Sequence, residues 1–279
     1  MINIIIITGN QIRHNYFKIM FSQCDGINVI KTFVDSEDEF SCIDRAIEES
    51  TLTDNAAQHF TARHNTEYDF FSDVIEVCDD NSSSEFLKKG EINNQKNVEK
   101  IIDLAPDLII TYGCSIIRSQ LIKRFEKKII NVHLGLSPYY FGAGTNFHCL
   151  VNNEFHFEGY TFMYMDEGID TGRIIHQSRA NILPFDNPHQ IGTRLIKLMT
   201  KDFISLVLNF ERIKIIPAVT KIFGHTYKVI DATNERTLKL YENFNNGAVT
   251  NYLVKKNKKI EQYPLIQQTF MKGNGIFDG

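Results

Sequence analysis

Residues 2–7 read Ile-Asn-Ile-Ile-Ile-Ile and stop at Thr8-Gly9-Asn10, and the same arrangement recurs further along the chain. Leu108-Ile109-Ile110 stops at Thr111-Tyr112-Gly113, and Lys128-Ile129-Ile130 runs into Asn131-Val132-His133. A short run that is apolar at almost every position and bounded by Gly or Pro is the pattern of a strand covered on both faces. Such strands belong to parallel sheets with helices on each side. Stretches with helical spacing lie between the runs: Tyr16, Phe17, Met20 and Phe21, then Asn97 to Leu104, Ile116 to Phe125 and His189 to Phe210. Ile27 to Phe33, Gly159 to Met165 and Arg173 to Gln177 add three more strand patterns. The expected class is therefore α/β, a Rossmann-like core with a mainly parallel sheet flanked by helices.

Between these elements, residues 36–71 are polar with helical spacing, and His59, Arg63 and Glu67 fall four residues apart on one face. That face is expected to be a solvated charge network. Asp79 to Ser84 holds only Asp, Asn and Ser, which marks a surface loop. Past residue 211 the α/β pattern gives way, and Lys214 to Ile230 reads as strands separated by a turn at Gly224. The expectation is a domain over 1–211 and a small β-rich C-terminal module over 212–279, the latter a candidate interface for a homodimer.

Charge narrows the partners. A net charge of -4 over 279 residues gives no broad basic field for nucleic acid, and Lys255, Lys256, Lys258 and Lys259 form too small a cluster to replace one. The five cysteines, at 24, 42, 78, 114 and 149, are odd in number and show no CxxC pair, which fits a reducing cytoplasm rather than a disulfide framework. The run at 2–7 is too short to cross a membrane, and no membrane partner is expected. His59 and His64 do not share a helix face and no HExxH appears, so no metal is expected. Gly142-Ala143-Gly144 lacks the third glycine of a dinucleotide fingerprint.

Chemistry gathers at strand ends. In Asn131-Val132-His133 the alternation of a strand points an amide and an imidazole to one side, a pair suited to holding a carbonyl oxygen that becomes negative during attack. Some forty residues on, Asp166-Glu167-Gly168-Ile169-Asp170-Thr171-Gly172 sets carboxylates in a turn between two apolar strands. A carboxylate beside an imidazole favours the charged ring and can move a proton. In open α/β sheets such groups meet in the crevice beyond the carboxyl ends of the strands.

Taken in order, Asp107-Leu108-Ile109-Ile110, Tyr112-Gly113 ahead of Ile116-Ile117, Asn131-Val132-His133, Pro138, Gly142 and Asp166 to Gly172 resemble the folate-dependent formyltransferase family. That family includes glycinamide ribonucleotide, methionyl-tRNA and nucleotide-sugar formyltransferases. The resemblance implies catalytic roles for Asn131, His133 and Asp170, with 10-formyltetrahydrofolate as co-substrate. It implies a folate slot between Cys114, Ser115, Ile116 and Ile117 on one side and Asp166, Gly168 and Ile169 on the other. Gly135, Leu136, Ser137 and Pro138 lie beside it, although many relatives carry Ser-Leu-Leu-Pro at those four positions.

The family's branches differ in the amine they accept. In place of the Gly-rich first turn of the glycinamide enzyme stand Gly9 and Asn10, followed by Arg13 and His14, either a grip on a phosphate or pyrophosphate or ordinary residues opening a helix. Tyr139, with Tyr140 and Phe141, offers an aromatic surface to a sugar or base, or packs internally. A methionyl-tRNA enzyme would bring a longer basic C-terminal domain. Core-first order and a small second piece resemble the nucleotide-sugar branch, so the expected acceptor is a nucleotide-linked amino sugar. The alternatives are a glycinamide-ribonucleotide-type or methionyl-tRNA enzyme, or a folate-binding scaffold without activity.

Overall fold

A computed structural model describes residues 1–35, 54–217 and 224–271. Its centre is a seven-stranded sheet in the order β3-β2-β1-β4-β5-β7-β8. The strands are β1 (Ile2–Thr8), β2 (Ile27–Asp35), β3 (Ser84–Leu87), β4 (Leu108–Tyr112), β5 (Ile129–His133), β7 (Gly159–Tyr164) and β8 (Ile174–Arg179). The first five pair in parallel, and β7 and β8 turn the sheet antiparallel at one edge. The mainly parallel α/β core expected from the apolar runs is the fold observed.

β1 shows why the continuous runs were informative. Ile4, Ile5, Ile6 and Ile7 are all 0 % exposed, yet they divide between two cores. Ile4 and Ile6 join Phe17, Phe21, Phe71 and Phe203 from α1 (Ile12–Ser22), α2 (Asp54–Val77) and α6 (Pro188–Leu208). Ile5 and Ile7 join Val98, Ile101 and Leu121 from α3 (Gln95–Asp103) and α4 (Ser119–Arg124). Each isoleucine buried in this way contributes about 1.5–3 kcal/mol of transfer free energy. α6 starts where Asn187 accepts hydrogen bonds from the N–H groups of His189 and Gln190, with Pro188 in the first turn.

Three sequence expectations need correction. β3 is a strand that no apolar run announces, because an edge strand has one neighbour and Phe86 in it is 65 % exposed. The face bearing His59, Arg63 and Glu67 is not a solvated charge network. Glu67 is 4 % exposed and pairs with Arg13 at 2.8 Å, while the His59 ring packs against His189 at 4.8 Å. Burial and the neighbouring Arg13 pull the Arg63 guanidinium down to about 10, and burial holds the His59 imidazole at about 4. Residues 36–53 of that polar stretch lie outside the described residues.

Among its described residues the C-terminal region is not β-rich. After residue 211 the described residues form one three-residue strand, β9 (His225–Tyr227), and two helices, α7 (Asn234–Asn245) and α8 (Ala248–Gln262). Residues 218–223, inside the stretch expected to hold strands, lie outside the described part, as do 272–279. Each helix buries a thin stripe, Thr237 and Leu240 in α7 and Val249 and Tyr252 in α8, so their periodicity is faint in sequence. β9 pairs in parallel with β6 (Tyr140–Gly142), and Gln177 of β8 donates its N–H to the Ile266 carbonyl at 2.8 Å. No helix among the described residues is long and apolar enough to cross a membrane.

Candidate active site

Strand β5 ends in Asn131 and His133, two residues apart and therefore on one side of the sheet. The β7–β8 turn brings Asp170 to them in the left-handed region, at φ 54°. Asn131 Nδ2 lies 3.5 Å from Asp170 Oδ1, and His133 Nδ1 lies 3.2 Å from Asp170 Oδ2. His133 is 5 % exposed. The amide, imidazole and carboxylate, distant in sequence, thus share one crevice at the carboxyl end of the parallel strands.

Neighbours fix the orientation of each group. Thr111, at the end of β4 and in register with Asn131, donates its hydroxyl to Asn131 Oδ1 at 2.7 Å. The amide is thereby turned so that its N–H₂ faces Asp170 and the crevice. The Gly142 N–H donates to Asp170 Oδ2 at 2.9 Å. His133 Nε2 sits 3.1 Å from the Tyr140 carbonyl, so both ring nitrogens face acceptors and only the doubly protonated ring donates to both. Thr111 and Gly142 were not among the residues singled out for the site. A threonine at a strand end is common, and the group Gly142 contributes is a backbone donor.

The loop between β5 and α5 (Thr145–Val151) wraps around His133 and is held from the C-terminal side. Gly135 has no alternative, since a Cβ there would stand 2.6 Å from His133 Nε2. At Gly142, with φ 85°, a Cβ would fall 2.1 Å from the Tyr227 carbonyl of β9. That carbonyl accepts from the Ala143 N–H at 2.9 Å, and the His225 N–H donates to the Tyr139 carbonyl at 2.8 Å. β9 therefore sets the position of the backbone donor that Asp170 uses.

The other residues singled out divide into two groups. On the acidic turn, Asp166 Oδ1 accepts from the Gly168 N–H at 3.0 Å and the Thr171 hydroxyl at 2.9 Å, and Ile169 is 56 % exposed. Opposite it, Cys114 to Ile117 follow β4, with Ile116 68 % exposed, Ile117 buried and the Ser115 Oγ buried without a partner among the described residues. An exposed 3.6 Å ion pair joins Glu167 of the acidic turn to Lys123 of α4. Burial pushes the Cys114 thiol up to about 12, so it is no nucleophile. Gly135, Leu136 and Ser137 are buried, Pro138 is half-buried, and the Ser137 carbonyl accepts from Gln177 Nε2 at 2.6 Å.

The second group is drawn into the protein. His14 is 3 % exposed, accepts the Gln11 N–H at Nδ1 over 3.1 Å and fills the space a Cβ at Gly9 or Gly113 would need. Burial first, then Arg13 and Arg63, hold its pKa well below the ordinary value. The Arg13 guanidinium bonds Glu67, and Asn10 stays half-buried beside the turn. The Tyr139 ring stacks on Phe157 at 4.4 Å and meets Tyr263 edge-on at 5.3 Å, which occupies its faces. The structure brings none of Arg13, His14 and Tyr139 into the cluster of Asn131, His133 and Asp170.

Known proteins agree with this architecture. Residues 43–207, more than half of the chain, match the family model described as formyl transferase. The methionyl-tRNA formyltransferase of Geobacter sulfurreducens is 34% identical over 113 residues, which are 40% of this chain and 35% of that protein. The chain thus spans about a third of the length of the first curated relatives it matches. Glycinamide ribonucleotide transformylase 1 from Symbiobacterium toebii superposes with a TM-score of 0.54 at 17% identity, covering 77% of this chain and 91% of that one. A sugar N-formyltransferase from a Shewanella species superposes with a TM-score of 0.54 at 15% identity, covering 86% and 87%. At such identities the structural likeness speaks for the fold alone.

Proposed function

Because the chain belongs to the formyl transferase family, we propose that it transfers the formyl group of 10-formyltetrahydrofolate to the amine of a nucleotide-linked amino sugar. The observation that carries the reading is the meeting of Asn131 Nδ2 and His133 Nδ1 on the two oxygens of Asp170, at 3.5 Å and 3.2 Å. The carrier supplies a formyl carbon open to attack by a neutral amine. Asn131 Nδ2, turned outward by Thr111, is the donor that meets the formyl oxygen as it becomes negative. The His133 ring borders the same point, held between the Tyr140 carbonyl and Asp170. Asp170 Oδ1, contacted among the described residues by the Asn131 amide at 3.5 Å, is the oxygen placed to take the proton from the attacking amine, directly or through one water, and to pass it to the folate nitrogen as the bond from that nitrogen to the formyl carbon breaks and tetrahydrofolate leaves.

The folate is read onto the facing loops, where Ile116 and Ile169 offer exposed apolar surface to a flat ring and backbone groups of 114–117 offer hydrogen bonds. Asp166, Gly168 and the Gly135 to Pro138 loop border that space in this reading. Among acceptors we favour a nucleotide-linked amino sugar, on fold coverage only: a sugar N-formyltransferase fold and a 4-N formyltransferase fold each follow 86% of the chain, against 77% and 82% for two glycinamide ribonucleotide enzymes. Gly9 and Asn10, at the open end of β1, are where the acceptor's phosphates would come closest to this chain. Arg13 and His14 shape that turn from within, and Tyr139 supports the loop beside it.

The test is direct. The protein is incubated with 10-formyltetrahydrofolate and, separately, with amino-sugar nucleotides, glycinamide ribonucleotide and methionyl-tRNA, and release of tetrahydrofolate is followed. The proposal expects turnover with an amino-sugar nucleotide. Turnover with glycinamide ribonucleotide or methionyl-tRNA alone would overturn the acceptor, and none with any amine would overturn the enzyme.

A further inference from the structure

The lysine cluster near the C-terminus has no part in the chemistry above, yet two of its members border a cleft of ≈ 350 Å³ between α7, α8 and the turn at Phe155–Phe157. That is the size of a small-molecule site. Its aromatic wall is formed by Phe155 and Tyr252, whose rings stack at 5.5 Å and 22°. Lys255 and Lys259 stand one helical turn apart on α8, and neither has a carboxylate partner among the described residues. Asn246 and Asn251 complete the rim, and no described carboxylate lines the cleft.

A second observation points into the same space. His156 is 4 % exposed and lines the cleft, but its ring nitrogens have no hydrogen-bond partner among the described residues. Its ring is held by contacts with Phe157 at 4.1 Å and Tyr263 at 5.1 Å. Its nitrogens are not sealed from solvent, and that open edge is where a ligand hydroxyl or phosphate oxygen would bond. Burial first, then Lys259 and Arg179, hold this imidazole at about 4, so at neutral pH it offers one donor and one acceptor. The N-terminal end of α8, fifteen residues long, also opens on the cleft through Ala248 and adds positive potential.

Two cations without counter-charges call for an anion, and the amides and imidazole for hydroxyls, while the packed Phe155 and Tyr252 rings form the cleft's floor. We infer that this cleft binds a phosphorylated, hydroxyl-bearing small molecule, of the class of sugar phosphates and nucleotides, at a place that shares no residue with the Asn131, His133 and Asp170 site. The inference stands on its own residues and is independent of which amine is formylated.

Calorimetric titration of the full chain with glucose 1-phosphate, uridine monophosphate and inorganic phosphate tests it. One of the two organic phosphates is expected to bind with a Kd below about 1 mM, and Lys255→Gln with Lys259→Gln to weaken it about tenfold or more. Which of the two binds tells a sugar phosphate from a nucleotide. Both lysines are exposed, so the double variant is expected to fold, as its Tm checks. Asn251→Leu, also at an exposed position, is the second variant and is expected to weaken the same ligand. No binding by either organic phosphate overturns the inference, as does affinity unchanged in both variants or inorganic phosphate bound as tightly as the organic ones. Formyl transfer at saturating acceptor is expected to be unaltered in these variants, so failure here leaves the proposed reaction standing.

Discussion

Two buried histidines stand at the carboxyl ends of neighbouring strands, and they differ in the company they keep. His133, at the end of β5, faces a carboxylate with one ring nitrogen and a carbonyl with the other. His14, wedged among Gly9, Tyr112 and Gly113 at the ends of β1 and β4, accepts a backbone N–H and lies beside Arg13 and Arg63. The first ring has an acceptor at each nitrogen, and the second has a backbone donor at one nitrogen and two guanidiniums nearby. Burial is the larger cause of the low His14 pKa, with Arg13 and Arg63 adding to it, and what differs at His133 is the pair of acceptors that its nitrogens face.

The sharpest way to break this contrast is to remove the groups on one side of it. Asn131→Ala, His133→Ala and Asp170→Asn are each expected to lower kcat by about 100-fold or more, the usual cost of losing a preorganised donor or its charge partner. Their Tm should change little. If His14→Phe produced a kcat loss of the same size, the distinction between the two histidines would fail.

Instead, His14→Phe is expected to act on stability. It removes the acceptor of the Gln11 N–H at the start of α1 and leaves that donor without its side-chain partner, a cost of about 1–3 kcal/mol. Urea unfolding should report that loss, while kcat measured on the folded fraction stays within a few-fold of the parent. A variant as stable as the parent would show that the ring does not hold the turn.

The contrast also marks what could be seen from sequence. The parallel core was legible because β1, β4 and β5 are buried on both faces, which forces apolar residues at every position from Ile4 to Ile7 and from Leu108 to Ile110. The polar residues at the end of β5 were legible for the converse reason, an amide and an imidazole where the run should have stayed apolar. Asp170 was legible through its Gly-rich turn. What escaped were features whose causes are tertiary. β3 is supported on one side only. α7 and α8 hide a two-residue stripe each. Arg13 and Glu67, 54 positions apart, pair only once α1 and α2 have packed. Nothing local distinguishes a histidine that lines a crevice from one, like His14, enclosed beneath it.

A finer test probes how far the orientation of Asn131 and Asp170 depends on the two groups that sequence did not single out. Thr111→Val keeps the shape but removes the hydroxyl that turns the Asn131 amide, and is expected to lower kcat about tenfold. Gly142→Ala meets the Tyr227 carbonyl in a backbone region that disfavours a side chain, and should displace the N–H that Asp170 accepts, with a similar loss. Unchanged kcat in both would mean that Asn131 and Asp170, the groups proposed for catalysis, hold their places without help from β4 or β9.

The smallest effect expected is on how stability varies with pH, and it extends the contrast from two histidines to the whole interior. His59, His148, His156 and His176 are held at about 4, and His189 at about 3, in each case chiefly by burial. Their folded values lie below the ordinary 6.5, so as pH falls below 6.5 the unfolded chain takes up protons that the folded chain refuses, and stability is lost. Glu158 has the opposite sign. Fully buried and accepting from the Cys149 thiol at 2.8 Å, it is pushed by burial up to about 8 from an ordinary 4.5. Between those two values the folded chain keeps a proton that the unfolded chain has released, so stability falls as pH rises through that window. Below about pH 7 these imidazoles, with His14, outweigh the Glu158 carboxyl, and because they go on titrating in the unfolded chain for about a unit above 6.5 the maximum falls a little above pH 7, with an alkaline slope beyond it well under about 1.4 kcal/mol per pH unit. Glu158→Gln should flatten that slope and leave the acid side in place. Urea midpoints taken at intervals between about pH 5 and pH 8 read both limbs. An alkaline slope that survives in the Gln variant would show that another group, not Glu158, carries the proton.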